Sequence, residues 1–163
     1  MIIGVYTPIP RSGKGTFAKE CQKLYKDTFV VSFADIMREC IVKVSAPFLE
    51  GGEEEAWEWL DDDRKDTQVI PDLGVTQRRM LQTLGTEWGR IHIHPDIWVK
   101  ILVKRIEEIE YYYFETPVPS DNPPLIVVDD LRYPNEYLFL QERGAKFVAV
   151  VRDDAPLTET HTS

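Results

Sequence analysis

The feature that most restricts the fold is a short apolar run that breaks into a glycine-rich loop and then directly into a helix. Met1 to Tyr6 is apolar and β-branched, as a buried strand requires. Pro8-Ile9-Pro10-Arg11-Ser12-Gly13-Lys14-Gly15-Thr16 follows, and Phe17, Ala18, Cys21, Leu24 and Tyr25 then recur at helical spacing. Strand, loop and helix in this order fit the pattern GxxxxGK(S/T), in which backbone N–H groups and the positive end of a helix dipole hold phosphate oxygens. Lys14 is placed to neutralise the phosphates of ATP, and Thr16 to offer its hydroxyl to Mg²⁺. Arg11, Ser12, Gly13, Lys14, Gly15 and Thr16 are therefore the expected ATP-binding residues. Pro8 stands where the first glycine of the pattern belongs, and Gly15 moves Thr16 one place along. The plainer reading is a glycine-rich turn with a solvated lysine.

Three further apolar runs read as buried strands: Thr28 to Phe33, Leu125 to Val128 and Lys146 to Val151. Helices are predicted from Asp35 to about Val44, Thr76 to about Ile91, Asp96 to about Tyr113 and Pro134 to about Arg143, the last stopped by Gly144. Short strands alternating with helices predict an α/β fold with a mainly parallel sheet. Ligands in such sheets bind beyond the carboxyl ends of the strands. Residues 50–66 differ in character, with nine acidic side chains against Arg64 and Lys65, and with Trp57, Trp59 and Leu60 among them. They read as a solvated, partly helical excursion, or as a mobile flap near an acceptor site.

Charged residues do follow the predicted strands. After the second come Asp35 and Arg38, which on their own read as a helix N-cap and an exposed charge. After the third comes Val128-Asp129-Asp130-Leu131-Arg132. Carboxylates here can bind Mg²⁺ directly or through water, and an arginine just beyond can grip a phosphate. The alternative is an acidic turn closed by a local ion pair. Strand alternation lets only one of Asp129 and Asp130 face a metal. On the helix from Thr76, α-helical spacing gathers Met80, Leu81, Leu84 and Trp88 on one face and Arg79, Gln82, Thr83, Thr86 and Arg90 on the other. Gly85 and Gly89 fall to one side, where another element can approach closely. A polar helix face is often just solvated. Gln, Thr and two Arg, rather than Glu–Lys pairs, also suit hydrogen bonding to a base and a phosphate.

These segments resemble known kinases. Ser12-Gly13-Lys14-Gly15-Thr16 and Phe33-Ala34-Asp35-Ile36-Met37-Arg38 are similar to segments of adenylate kinases. RRMLQTLGTEWGRIHIHPDIWVK, DDLRYPNE and the terminal HTS resemble the deoxynucleoside monophosphate kinases of bacteriophages, over most of residues 3–161. The resemblance implies a P-loop NTPase three-layer fold of the nucleoside monophosphate kinase kind, with an acceptor-side helical insertion at about 45–115. It implies Mg-ATP-dependent phosphorylation of (deoxy)nucleoside monophosphates to diphosphates. Lys14, Asp35, Asp130 and Arg132 are then catalytic, and Thr16, Asp129 and Asp130 serve the metal. Arg38, Arg78, Arg79, Gln82, Thr86, Arg90 and Arg132 hold the acceptor. The family usually adds a fifth strand and a final helix, whereas this sequence stops twelve residues after Val151. It is thus a minimal form of the fold or a shortened chain, and any ATP-binding arginine from that end is Arg152.

Composition limits the partners. A formal charge of -9 disfavours a surface built for nucleic acid or anionic membrane, but it permits a local pocket for a small anion. No apolar stretch is long enough to span a membrane, and the N-terminus lacks a signal-peptide pattern, so a cytoplasmic location is expected (the host's, for a phage protein). Cys21 and Cys40 read as buried free thiols, and His92 and His94 as capping or core residues rather than a metal pair. Homodimerisation is left open. The rival functions are a P-loop kinase for another phosphorylated small molecule and a catalytically weak nucleotide-binding protein.

Overall fold

The computed structural model describes residues 1–7, 13–115 and 123–151. The predicted strands form as β1 (Ile2–Tyr6), β2 (Thr28–Val31), β3 (Leu125–Val128) and β4 (Lys146–Ala149). They pair as one sheet in the order β2-β3-β1-β4, and every pairing is parallel. Among the described residues no strand follows β4. The helices are α1 (Lys14–Leu24), α2 (Asp35–Ser45), α3 (Gly52–Asp61), α4 (Arg64–Thr67), α5 (Gln77–Gln82), α6 (Ile97–Glu115) and α7 (Pro134–Glu142). A 3₁₀ turn covers Ala46–Phe48 and a π-helix covers Thr83–Ile93. The mixed α/β, parallel-sheet fold expected from the sequence is the one found.

The chain forms two compact units. The first comprises Met1–Phe33 and Val99–Ser163 and contains the sheet. All four residues of β3 are buried, as a central parallel strand demands. Side-chain alternation along β1 sets up the layers. Val5 packs with Ala18, Leu125 and Val127, flanked by Phe17 and Cys21 of α1. A Cβ on the neighbouring Gly4 would meet Phe147 and Leu140, so α7 covers the opposite face. Helix, sheet, helix is the three-layer order expected.

The second unit, Ala34–Trp98, has its own core of Ile41, Val42, Ala46, Leu49, Ala56, Trp59, Leu60 and Ile70. Gln77 is fully buried at its centre. Its side-chain amide donates to Ser45 Oγ (3.1 Å) and to the Ala56 carbonyl (2.9 Å), fastening α5 to α2 and α3. The acidic stretch is more helical than expected, being made largely of α3 and α4.

The helix predicted from Thr76 is present but changes form midway. Thr76 is its N-cap, accepting from the Arg79 amide at 3.2 Å. Regular α-helix ends at Gln82, and the chain continues as π-helix to Ile93. With i→i+5 bonds each residue turns less about the axis, so the α-helical face drawn from the sequence drifts beyond Gln82. Trp88, expected in the core beside Leu84, is 49% exposed. Trp98 is buried, and its indole N–H donates to the Gly85 carbonyl at 2.8 Å. Gly85 and Gly89 do permit close approach: a Cβ on Gly89 would stand 2.5 Å from the Trp98 ring, and one on Gly85 3.0 Å from Met37 Sδ.

Both cysteines are free, but only partial burial holds for Cys21, and Cys40 is exposed. The inward face of α2 is taken by Ile41, Val42 and Ser45, which leaves Cys40 outside. His92 and His94 are exposed; the capping role holds for His94, whose Nδ1 accepts from the Asp96 amide at 3.0 Å just before α6. Gly89→Ala is expected to destabilise the fold by about 1–3 kcal/mol, because the methyl has nowhere to go against the indole. Thermal unfolding measures it, and an unchanged Tm would mean that Trp98 moves aside freely.

Candidate active site

In the first unit, β1 leads towards the start of α1, where Gly13 takes φ 100°, ψ 17° as the N-cap. An L side chain is strained there, so glycine is required by the backbone. Lys14, Gly15 and Thr16 form the first turn, with Gly15 and Thr16 exposed and Lys14 half-buried. The Gly13 carbonyl already accepts from the Phe17 amide (3.0 Å), so the helix starts cleanly with its first N–H groups at the open end. Arg11 and Ser12 of the predicted loop, and Arg152, lie outside the described residues.

Lys14 has company from β3. Burial pushes its ammonium below the usual lysine pKa, and the Arg132 guanidinium pushes further. Asp130 and Asp129 pull the other way. Arg132, Asp130 and Asp129, all singled out from the sequence, thus lie within electrostatic reach of Lys14.

Asp130 is anchored. Its Oδ2 accepts from Ser32 Oγ at 2.6 Å and its Oδ1 from the Phe33 amide at 2.8 Å, while the Asp129 amide donates to the Val31 carbonyl at 3.3 Å. These bonds tie the carboxyl ends of β2 and β3 together. Both Asp130 oxygens thus accept hydrogen bonds from the end of β2. Arg132 is held from behind. Glu136, almost completely buried in the first turn of α7, accepts the Arg132 amide (2.9 Å) and the Tyr133 amide (3.0 Å) on one oxygen. Neither Ser32 nor Glu136 was singled out from the sequence. Glu136 was findable, since a glutamate two residues after Pro134 at a helix start is a capping signal.

The donors fit Mg²⁺ in kind: a hydroxyl at Thr16 and carboxylates at the end of β3 are hard oxygen ligands. Among the described residues no group of three or more His, Cys, Asp or Glu forms a complete metal cage.

The remaining residues belong to the second unit. Asp35 opens α2 as an exposed first-turn residue, Ala34 being the N-cap. Arg38 is half-buried, hydrogen-bonded to Asp61 and lying 5.8 Å from the centre of the Trp57 ring. Arg78 is half-buried and reaches Asp66 through Nε at 2.6 Å. Arg79, Gln82 and Thr86 are exposed, Arg90 is half-buried, and Arg79 lies 3.6 Å from Glu87.

A family model described as deoxynucleotide monophosphate kinase matches residues 33–163. The chain belongs to the deoxynucleotide monophosphate kinase family. A deoxynucleoside-5'-monophosphate kinase of Escherichia phage T5 is 37% identical over 70 residues, which are 43% of this chain and 23% of the phage protein. The chain therefore spans less than a quarter of that relative's length in the match. No helix among the described residues is long and apolar enough to cross a membrane.

The lysine makes this site's cost measurable. Its folded pKa is lowered, so in the window below the unfolded value the unfolded chain binds more protons and stability rises with pH. Urea titrations should show wild type gaining on Lys14→Met as pH climbs towards about 10.4, the ordinary lysine value. At neutral pH the methionine variant should unfold no earlier than wild type. A variant that is much less stable at pH 7 would mean that the ammonium is held by attraction, not tolerated.

Proposed function

We propose that this chain transfers the γ-phosphoryl group of ATP to deoxynucleoside monophosphates. The observation that carries the reading is the grouping of Lys14, Asp129, Asp130 and Arg132 beside the left-handed glycine that starts α1. Membership of the deoxynucleotide monophosphate kinase family supports the choice of acceptor.

In this reading the open N–H groups of α1 and the Lys14 ammonium hold the triphosphate, with Arg11, Ser12, Gly13 and Gly15 completing the loop. Arg152 adds a charge to ATP from the C-terminal side. Thr16, Asp129 and Asp130 would hold Mg²⁺, with Asp35 near its waters, and an ion there would supply positive charge against the phosphates. Arg132, fixed at its backbone by Glu136, supplies positive charge to the migrating group. The acceptor is held by the helical insertion at about 45–115. Arg38, Arg78, Arg79 and Arg90 meet its phosphate, and Gln82 and Thr86 meet its base or sugar.

Little covalent help is needed. A phosphate oxygen is already ionised near neutral pH, so no general base has to remove a proton, and rate comes from alignment and charge. The reading also explains the lowered Lys14 pKa: the site bears a charge penalty that the triphosphate removes.

An ADP-release assay with Mg-ATP against the deoxynucleoside and ribonucleoside monophosphates tests the reaction, and turnover on at least one deoxynucleotide is expected. ATP binding without turnover on any of them would reject it. Lys14→Met should lower kcat by a thousandfold or more, on the order of the larger electrostatic effects in such sites. Replacing Arg79 or Arg90 by alanine should raise KM for the acceptor about tenfold or more while leaving KM for ATP within about twofold. Equal rises in both would remove these arginines from the acceptor side.

A further inference from the structure

The acidic stretch, the part of the sequence that the proposed reaction leaves without a role, touches two of the arginines given to the acceptor. Asp61, at the end of α3, hydrogen-bonds the Arg38 guanidinium. Asp66, in α4, takes Arg78 Nε at 2.6 Å and its terminal nitrogen at 3.5 Å. Both carboxylates come from residues 50–66 and both partners come from outside it. Each carboxylate is an anion on a guanidinium that the proposed reaction reserves for a phosphate.

We infer that Asp61 and Asp66 are affinity-setting residues of the acceptor site: they occupy Arg38 and Arg78 in the ligand-free protein and yield to the acceptor's phosphate. The inference rests on the acceptor assignment above. Its physical basis is the weakness of the contacts. The Asp61 side chain is 71% exposed and engages one terminal nitrogen of Arg38. The Asp66–Arg78 pair is more than a third exposed on both sides. Exposed pairs of this kind are worth at most about fivefold in an equilibrium. A phosphomonoester dianion has more charge and a third oxygen, so it can exceed the single contact that Asp61 makes with Arg38 and match the two that Asp66 makes with Arg78.

Trp57 makes the exchange gentle. Its ring, 5.8 Å from the Arg38 guanidinium carbon, supports the cation whether its other partner is a carboxylate or a phosphate. Release of Asp61 therefore does not set the arginine adrift. Asp61 and Asp66 then act as built-in competitors. They keep positive charge from standing bare in the empty site and lower affinity for any anion too weak to replace them.

The test is equilibrium titration of dAMP, dCMP, dGMP and dTMP, with inorganic phosphate as a base-free probe, against wild type, Asp61→Asn, Asp66→Asn and the double variant. Asparagine keeps size and hydrogen bonding at exposed positions, so the variants should fold. Each single variant should bind the monophosphates about threefold more tightly at low salt, and the double variant roughly tenfold. The gain should shrink as salt rises, and ATP affinity should not move. Unchanged or weaker monophosphate binding in the double variant overturns the inference, because the aspartates would then be orienting the arginines. Arg38→Ala and Arg78→Ala separate the two levels. If both leave monophosphate affinity intact, or if wild type binds none of the four nucleotides, the acceptor assignment fails and the inference falls with it.

Discussion

The Asp130 carboxylate bridges β3 to the end of β2 through the Ser32 hydroxyl and the Phe33 amide, and the chemistry of the first unit is arranged around that bridge. Two parallel strands share no hairpin, so nothing local keeps their carboxyl ends level. A half-buried carboxylate that accepts two hydrogen bonds does so, and each bond to a charged acceptor is stronger than a neutral one. With the strand ends level, Asp129 and Arg132 emerge beside Lys14. Glu136 then takes the two amides after Leu131 and stops the chain from wandering as it turns into α7. Hydrogen bonds to Ser32, Phe33 and Glu136 thus fix positions that in sequence look only like a run of charges.

Much of this was legible in the sequence where one signal dominated. Leu125 to Val128 is four apolar residues between a proline pair and an aspartate pair, and the strand has those bounds. Gly13-Lys14 after an apolar strand fixed the start of α1, because few other sequences satisfy a left-handed residue, a bare helix end and a cation together. Asp129, Asp130 and Arg132 were readable as a charged turn after β3, although the anchoring of Asp130 depended on Ser32, 98 positions away. The segment from Thr83 was not legible. Its apolar and polar spacing fits an α-helix, and only packing against Trp98 reveals the wider π turn in which Trp88 faces solvent. Cys40 was misjudged for a related reason: helical periodicity says that a face is buried, but not how many of its flanks are.

Overall charge is a poor guide to local charge in this chain. The chain carries -9, yet several of its basic groups stand beside acidic ones. Lys14 and Arg132 face Asp129 and Asp130, Arg38 meets Asp61, and Arg78 meets Asp66. Every such grouping is near neutral by itself. Screened fields beyond about 8–10 Å carry little information in physiological salt, so short-range geometry decides what an anion encounters.

The strand order also has a consequence in time. β1 and β2 both lie within the first 31 residues, yet neither touches the other; β3, which begins at Leu125, lies between them. On a ribosome adding about 5–20 residues each second, the first two strands wait on the order of ten seconds before the strand that joins them exists. During that interval Ala34–Trp98 is already complete, with a core of its own. The unfinished sheet meanwhile exposes apolar, β-branched edges to whatever else is being made nearby. For this topology the exposure of strand edges is greatest in the nascent chain and shrinks only as β3 and then β4 pair with β1.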